Sequence, residues 1–488
     1  MQRSGSLSQI VLVLYHVAIA ACAKLLSGGT IIAFDQETEE LKVIRNGSVL
    51  IDGDRIVSVS DIASPFDVPA GVEFIDCTDK IITPGFIDTH RHGWQTVFKT
   101  MGSNTTLADY GSRYSALLAG IYEAMAAGVT TIVDHAHHTW TPDTSAAGLR
   151  ASVDSGARMY WAYTFQNSSA EFGIPEQIAQ WKELAASMTS NLTQLAIAYD
   201  DFTTNPTGAD TLAVADLIRE SKSLLTTHHV EGPWLLGNSP EDLHRVGVLN
   251  SSTPVVIAHA AFLDVRGAGL LRSTNQHISI TAESEMHYGH LHPTSHLIMD
   301  QASLGVDTHM TFSTDILTQA RLWLQSTRYR VYQNTIDRFQ VPAQNPFSVN
   351  QAFLLATRNG GLAVGRKDLG VIAPGAQADL VVWEGRSPGM LGWTDPVAAV
   401  ILHASVGDIT HVLIGGTFKK RDGRLVDARY YDEVQDRFLA SARRIQKVLK
   451  DTPLPSQEGS FLTGTPYGYV MQLDAKRGEG TGYGPSFV

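Results

Sequence analysis

The stretch Ile81-Ile82-Thr83-Pro84-Gly85-Phe86-Ile87-Asp88-Thr89-His90-Arg91-His92 decides how this chain is read. Its apolar part, residues 81–87, has the form of a buried strand, and two histidines follow at its end. Residues i and i+2 of a strand face the same side, so His90 and His92 are aimed together. Downstream, strand patterns cover residues 129–133, 159–165, 195–199, 224–227, 254–258, 277–281 and 303–306. With the opening run they make eight, and His228, His259 and Asp307 stand at or just beyond the ends of the fifth, sixth and eighth. Helical patterns at 116–127, 175–188 and 210–222 fall between them, and another at 314–330 follows the last. Alternating units of this kind predict an α/β chain with a (β/α)8 TIM barrel over residues 84–365. Imidazoles and a carboxylate at successive strand ends of one barrel converge at its mouth, and such a group binds a divalent metal.

Outside the barrel the texture changes. Residues 24–83 read as short strands with an Asp-Gly turn at Asp52-Gly53, and residues 366–428 return to that texture with a second hairpin at Asp422-Gly423. The two ends are expected to build one small composite β-sandwich domain. Residues 432–449 carry an amphipathic helical pattern within a C-terminal segment, 429–488, whose tail from 453 onward is rich in Gly and Pro.

Composition narrows the class of protein. The 488 residues are 43% hydrophobic and 18% charged, enough for one large domain and a smaller one. A net charge of -12 argues against a nucleic-acid partner. Residues 1–23 have the three parts of a secretory signal: a polar start with Arg3, an apolar run at 10–20 too short to span a bilayer, and Ala21-Cys22-Ala23 as a cleavage site. A secreted, extracellular location is therefore expected, with no stable membrane span. Sequons at Asn46, Asn104, Asn167, Asn191 and Asn250 are candidate glycosylation sites on that route. Cleavage after Ala23 removes Cys22 and leaves Cys77 without a disulfide partner.

The motifs together resemble the amidohydrolase superfamily, in its cytosine-deaminase and chlorohydrolase-like branch. The resemblance rests on residues 84–92, on Leu225-Thr226-Thr227-His228-His229-Val230-Glu231, on Val256-Ile257-Ala258-His259 and on Leu304-Gly305-Val306-Asp307. The segment Gly370-Val371-Ile372-Ala373-Pro374-Gly375-Ala376-Gln377-Ala378-Asp379-Leu380 echoes the family's composite domain. It implies that His90, His92, His228 and Asp307 bind the metal, with His259 beside the bound water or substrate. It implies also that Glu231 is the acid that protonates a ring nitrogen. The spacing to Glu231 favours His228 as the fifth-strand ligand, with His229 as the alternative. Binuclear relatives use a carboxylated lysine after strand four; residues 195–200 hold no lysine and Lys222 is too far along. One divalent ion is expected, zinc, with iron(II) as the alternative that the same donors suit.

A divalent ion lowers the pKa of its bound water toward neutrality and makes a hydroxide nucleophile. The catalytic set read here is thus Glu231, His259 and Asp307. Trp94 and Gln95, next to the paired histidines, and Glu283 and Glu285, in a histidine-rich loop after strand seven, are candidate substrate contacts along with His259. Asp134-His135-Ala136-His137-His138 ends the second strand and reads as a hydrogen-bonded scaffold or a substrate contact, with a second metal site as the alternative. The expected reaction is hydrolysis of a carbon–nitrogen bond other than a peptide bond, by deamination of a small nitrogen heterocycle. A secreted amidase or lactamase is the alternative. A non-catalytic structural barrel would have lost ligands, and all five positions are intact. The partner is a small-molecule substrate, and the resemblance leaves a homodimer open.

Overall fold

The structure, a computed structural model, describes residues 23–61, 68–103, 105–106, 118–167, 170–250, 252–426, 428–451 and 457–470. Residues 1–22 of the expected signal, Asn104 and most of the tail lie outside them. The barrel strands are β1 (Phe86–Arg91), β2 (Val129–Ala136), β3 (Arg158–Thr164), β4 (Thr193–Ala198), β5 (Leu225–Val230), β6 (Val255–Ala261), β7 (His277–Ile280) and β8 (Ala302–Leu304). They pair in chain order, all parallel, in an eight-stranded sheet. Helices such as Pro142–Ser155, Ile174–Ser187 and Ala209–Ser221 make the crossovers, and Ile316–Ile336 follows the last strand. Their starts are encoded locally: Thr141, before Pro142, accepts from Thr144 N, and Asp315 accepts from Thr318 N.

The ring closes where the first strand meets the last. Arg91 and Asp307 form a parallel bridge. His92 N donates to Asp307 O at 3.2 Å and Asp307 N donates to His90 O at 2.9 Å. The seam is thus made by the residues whose side chains the sequence singles out.

The composite domain draws on both chain ends. Strands Lys24–Asp35, Glu40–Asp52, Arg55–Ser60, Glu73–Asp76 and Lys80–Pro84 join Leu380–Glu384, Ile409–Ile414, Thr417–Arg421 and Arg424–Leu425 in one hydrogen-bonded sheet of nine. Its own core includes Leu26, Ile31, Val49, Ile82, Leu380 and Leu413. The central join is antiparallel pairing of Lys80–Pro84 with Leu380–Glu384. A buried ion pair ties this sheet to the barrel: Arg158 on β3 donates from Nε to Asp379 Oδ2 at 2.8 Å and from Nη2 to Oδ1 at 3.0 Å.

The opening run is two strands, not one. Lys80–Pro84 belongs to the composite sheet and Phe86–Arg91 to the barrel, with Gly85 between. A Cβ on Gly85 would stand 2.1 Å from Thr130 Oγ1 of β2, so only glycine lets the chain pass there. The terminal helix, Ala428–Lys450, packs on the turn Gly93–Phe98 that follows β1, where Gln446 Nε2 donates to Val97 O at 2.7 Å.

Candidate metal centre

The two histidines after β1 are held by a buried brace. Asp88 Oδ2 accepts from Arg91 Nε at 2.7 Å, and Asp88 Oδ1 accepts from Val306 N at 3.0 Å beside Asp307. Arg91 Nη2 donates to Thr314 O at 2.9 Å. Both charged side chains are fully buried, and each has the other as its partner.

Above this brace the predicted side chains meet. His90 Nε2 is 3.4 Å from Asp307 Oδ1, and His92 Nε2 is 3.1 Å from the same oxygen. His228 Nε2 is 3.3 Å from His92 Nε2. His259 Nε2 stands 4.0 Å from Asp307 Oδ2. Donors about 2.1 Å from an ion at tetrahedral corners lie about 3.4 Å apart, which is the spacing seen. His90 is completely buried, and neither of its ring nitrogens has a hydrogen-bond partner. A buried imidazole left in that state is costly, and a cation bound at Nε2 would offset part of the cost. The residues present fit a divalent ion.

The rings are oriented from behind. His92 Nδ1 bonds His135 O at 3.0 Å, and His228 Nδ1 bonds Asp200 Oδ2 at 2.9 Å, so each presents Nε2 to the centre. Thr281 Oγ1 lies 3.0 Å from His259 Nδ1. Ser284 Oγ donates to Asp307 Oδ2. His259 and Asp307 both have φ of +64°, a left-handed conformation rare outside glycine. Local strain of this kind persists only where surrounding structure fixes it, and it sets the angle at which both side chains leave the barrel wall.

Electrostatics favour ligand-competent forms. Burial holds the His90 imidazole well below its usual range and pushes His259 down to about 4, so both are neutral near pH 7. Burial pushes the Asp307 carboxyl up, but the imidazoles of His90, His92 and His259 around it outweigh that and hold it well below the usual carboxylate range. His228 is moved the other way: burial lowers it, and the charge and hydrogen bond of Asp200 raise it by more.

Strand alternation separates His228 from His229. Sequence placed the end of the fifth strand at 227, but β5 runs on to Val230, so the two rings leave opposite faces. His228 joins the cluster, whereas His229 Nδ1 bonds Gly237 O at 2.7 Å. Glu231 is not brought to His228. Its side chain is 42% exposed on the rim, with Oε1 3.8 Å from His229 Nε2.

The expected substrate contacts divide. Trp94 and Gln95 are fully buried, and the Trp94 ring lies 6.2 Å from that of His137 under the mouth. Glu283 and Glu285 are both held by neighbouring groups, and Glu285 also lines a cavity of about 470 Å3. Glu283 Oε2 accepts from Ser313 Oγ at 2.9 Å and Gln319 Nε2 at 3.1 Å. Glu285 Oε1 accepts from Thr281 N at 3.0 Å and lies 3.6 Å from His259 Nδ1. Burial pushes the Glu285 carboxyl up to about 7. Asp200, Ser284 and Thr281 were not singled out from sequence. Asp200 alone carried a signal, as a carboxylate just past the fourth strand. A cavity of about 360 Å3 opens beside the cluster, lined by His137, Trp140, Gln166, Tyr199, Asp200 and Asp201 among others.

Comparison with known proteins agrees with this architecture. The family model described as "Amidohydrolase family" matches residues 81–419. The chain belongs to the amidohydrolase family. It is 27% identical over 424 residues to a 5'-deoxyadenosine deaminase of Methanothermobacter thermautotrophicus, covering 80% of this chain and 94% of that protein. Against a 5-methylthioadenosine/S-adenosylhomocysteine deaminase of Pyrococcus horikoshii it is 27% identical over 447 residues, covering 85% and 98%. Among solved structures, an adenosine deaminase of Xanthomonas campestris with bound zinc shares the fold at a TM-score of 0.71 and 18% identity, covering 88% of this chain and 99% of that one.

Proposed function

We propose that this amidohydrolase is a metal-dependent aminohydrolase that releases ammonia from a small nitrogen heterocycle. The observation that carries the reading is the cluster of donors: His90 and His92 stand 3.4 and 3.1 Å from Asp307, His228 stands 3.3 Å from His92, and donor atoms of His90, His228, His259 and Asp307 all lie within 4.8 Å of one another. His90, His92, His228 and Asp307 would hold the ion, zinc by its donor set or iron(II). When bound, the ion brings the pKa of a coordinated water near neutrality and supplies a nucleophile.

The chain's own residues do the rest. Asp307 stays anionic because His90 and His92 hold its carboxyl low, so it can receive the proton that the attacking water gives up. Ser284 fixes the orientation of that carboxylate. His259, neutral and held by Thr281 at Nδ1, presents Nε2 to charge that develops on the substrate. Glu231, on the rim with Oε1 3.8 Å from His229 Nε2, is the residue we assign as the acid for the ring nitrogen. The cavity of about 360 Å3 is of the size that takes one small heterocycle. The names of the two relatives make aminopurine nucleosides the first substrates to assay.

The test is ammonia release by the zinc-loaded protein over adenine nucleosides, other heterocyclic amines and lactams. Ammonia from an amine, abolished in Asp307→Asn, is expected. Glu231→Gln should keep its metal and lose about 10²- to 10⁴-fold in rate. Hydrolysis of lactams with no ammonia from any amine would instead install the amidase reading. For the route to the outside, residues 1–23 as a cleaved signal and glycans on the sequons are read by intact mass of the secreted protein. Asn46, Asn167, Asn191 and Asn250 are all exposed, as glycan attachment requires. A homodimer is the assembly to look for by sedimentation.

A further inference from the structure

A second group of donors stands behind the first. β2 ends in His135-Ala136-His137, which repeats the His-x-His spacing that follows β1. The two pairs face each other: the His92 and His137 rings stack at 4.7 Å, and the His92 and His135 rings are 5.5 Å apart. Opposite them, Asp200 follows β4. His135 Nε2 is 3.2 Å and His137 Nε2 is 3.7 Å from Asp200 Oδ2. The same oxygen takes the hydrogen bond of His228 Nδ1 at 2.9 Å. Asp200 Oδ1 is already committed, accepting from His228 N at 2.7 Å and Thr227 Oγ1 at 3.0 Å. That fixes the carboxylate so that Oδ2 points at the imidazoles.

We propose that His135, His137 and Asp200 form a second divalent-metal site, separate from the His90–Asp307 centre and joined to it through His228. The distances carry it. The His135 and His137 contacts bracket the edge of about 3.4 Å expected between donors to one ion, whereas the shorter His228 contact is a hydrogen bond. His135 is the independent witness. Its side chain is fully buried, its ring makes no aligned hydrogen bond among the described residues, and Nε2 stands 3.2 Å from Asp200 Oδ2. A cation between the two would take Nε2 as a ligand.

Two imidazoles and one carboxylate suit a borderline divalent ion such as zinc and disfavour calcium or magnesium. Three protein donors leave positions open. His137 and Asp200 line the cavity of about 360 Å3, so those positions take water or an electron-rich atom of whatever fills it. His228 is the coupling element, since its Nε2 belongs to one centre and its Nδ1 to the carboxylate of the other.

The decisive measurement is zinc content at equilibrium. Chelator-stripped protein is dialysed against buffered Zn2+ and analysed by mass spectrometry of the metal. Two ions per chain are expected in the native protein, one in His137→Asn and one in Asp307→Asn. Stepwise Co2+ addition, followed by visible absorption, should show two inequivalent centres in the native protein and one in either variant. Near-ultraviolet circular dichroism establishes that each variant is folded. A native protein that saturates at one ion, lost in Asp307→Asn, overturns the second site and leaves the proposed function standing. A native protein that takes up no ion ends both. Two ions undiminished in His137→Asn and in His135→Asn overturn the proposal by placing the second elsewhere, as among His287, His290 and His292.

Discussion

Replacing Glu285 by glutamine should change how stability depends on pH. The side chain is 2% exposed, and burial pushes its pKa from 4.5 to about 7, with His292 and the Thr281 N–H only partly opposing. The folded protein therefore holds this proton more tightly than the unfolded chain does. Stability from that proton is fully present below about pH 4.5, falls as pH rises, and is gone above about pH 7. At about 1.4 kcal/mol per pH unit, the span amounts to about 3 kcal/mol. The amide keeps an acceptor for Thr281 N but has no proton to lose, so Glu285→Gln should be less sensitive by that amount. Urea unfolding at intervals from pH 4.5 to 8 reads the difference, which includes the change in His292, whose pKa the Glu285 charge raises. Parallel curves for native and variant would refute the assignment of a raised pKa to this carboxyl.

Three further outcomes are expected. Arg158→Ala leaves Asp379 buried without its partner and should cost about 3 to 5 kcal/mol in urea unfolding; a loss under 1 kcal/mol would mean the junction is wet. Gly305→Ala puts a Cβ 2.8 Å from His90 O and 2.9 Å from His90 Cβ, so zinc affinity measured by chelator competition should fall at least tenfold; unchanged affinity would show that β8 yields instead. The buried Cys77 thiol is pushed up to about 12 by burial, so a thiol reagent at pH 8 should label it only after unfolding; rapid labelling of folded protein would contradict its placement.

The barrel and the composite sheet were legible because their signals are local. Apolar runs at regular spacing mark the strands, and Asp-Gly turns mark the hairpins. What was missed depends on contacts made across the chain. The run 81–87 reads as one strand, and only the approach of Thr130 to Gly85 divides it. Glu283 and Glu285 look like loop acids, and their partners come from across the chain: the helix Ile316–Ile336 supplies Gln319 to Glu283, and Glu285 packs behind His259 at the wall of a second cavity. Asp200 gives no local signal of its role beyond its place past the fourth strand, because its partners, His135 and His228, lie 65 and 28 residues away in sequence. Alternation alone, once β5 is given its full length, separates His228 from His229.

The antiparallel join between Lys80–Pro84 and Leu380–Glu384 also constrains how the chain is made. A ribosome that has emitted everything through the eighth barrel strand has still not produced the second of those partners. Until it does, the apolar row of Ile81 and Ile82 keeps one open flank beside a nearly finished barrel. Nascent chains halted just before residue 380 should therefore be the species most prone to chaperone capture and to clumping.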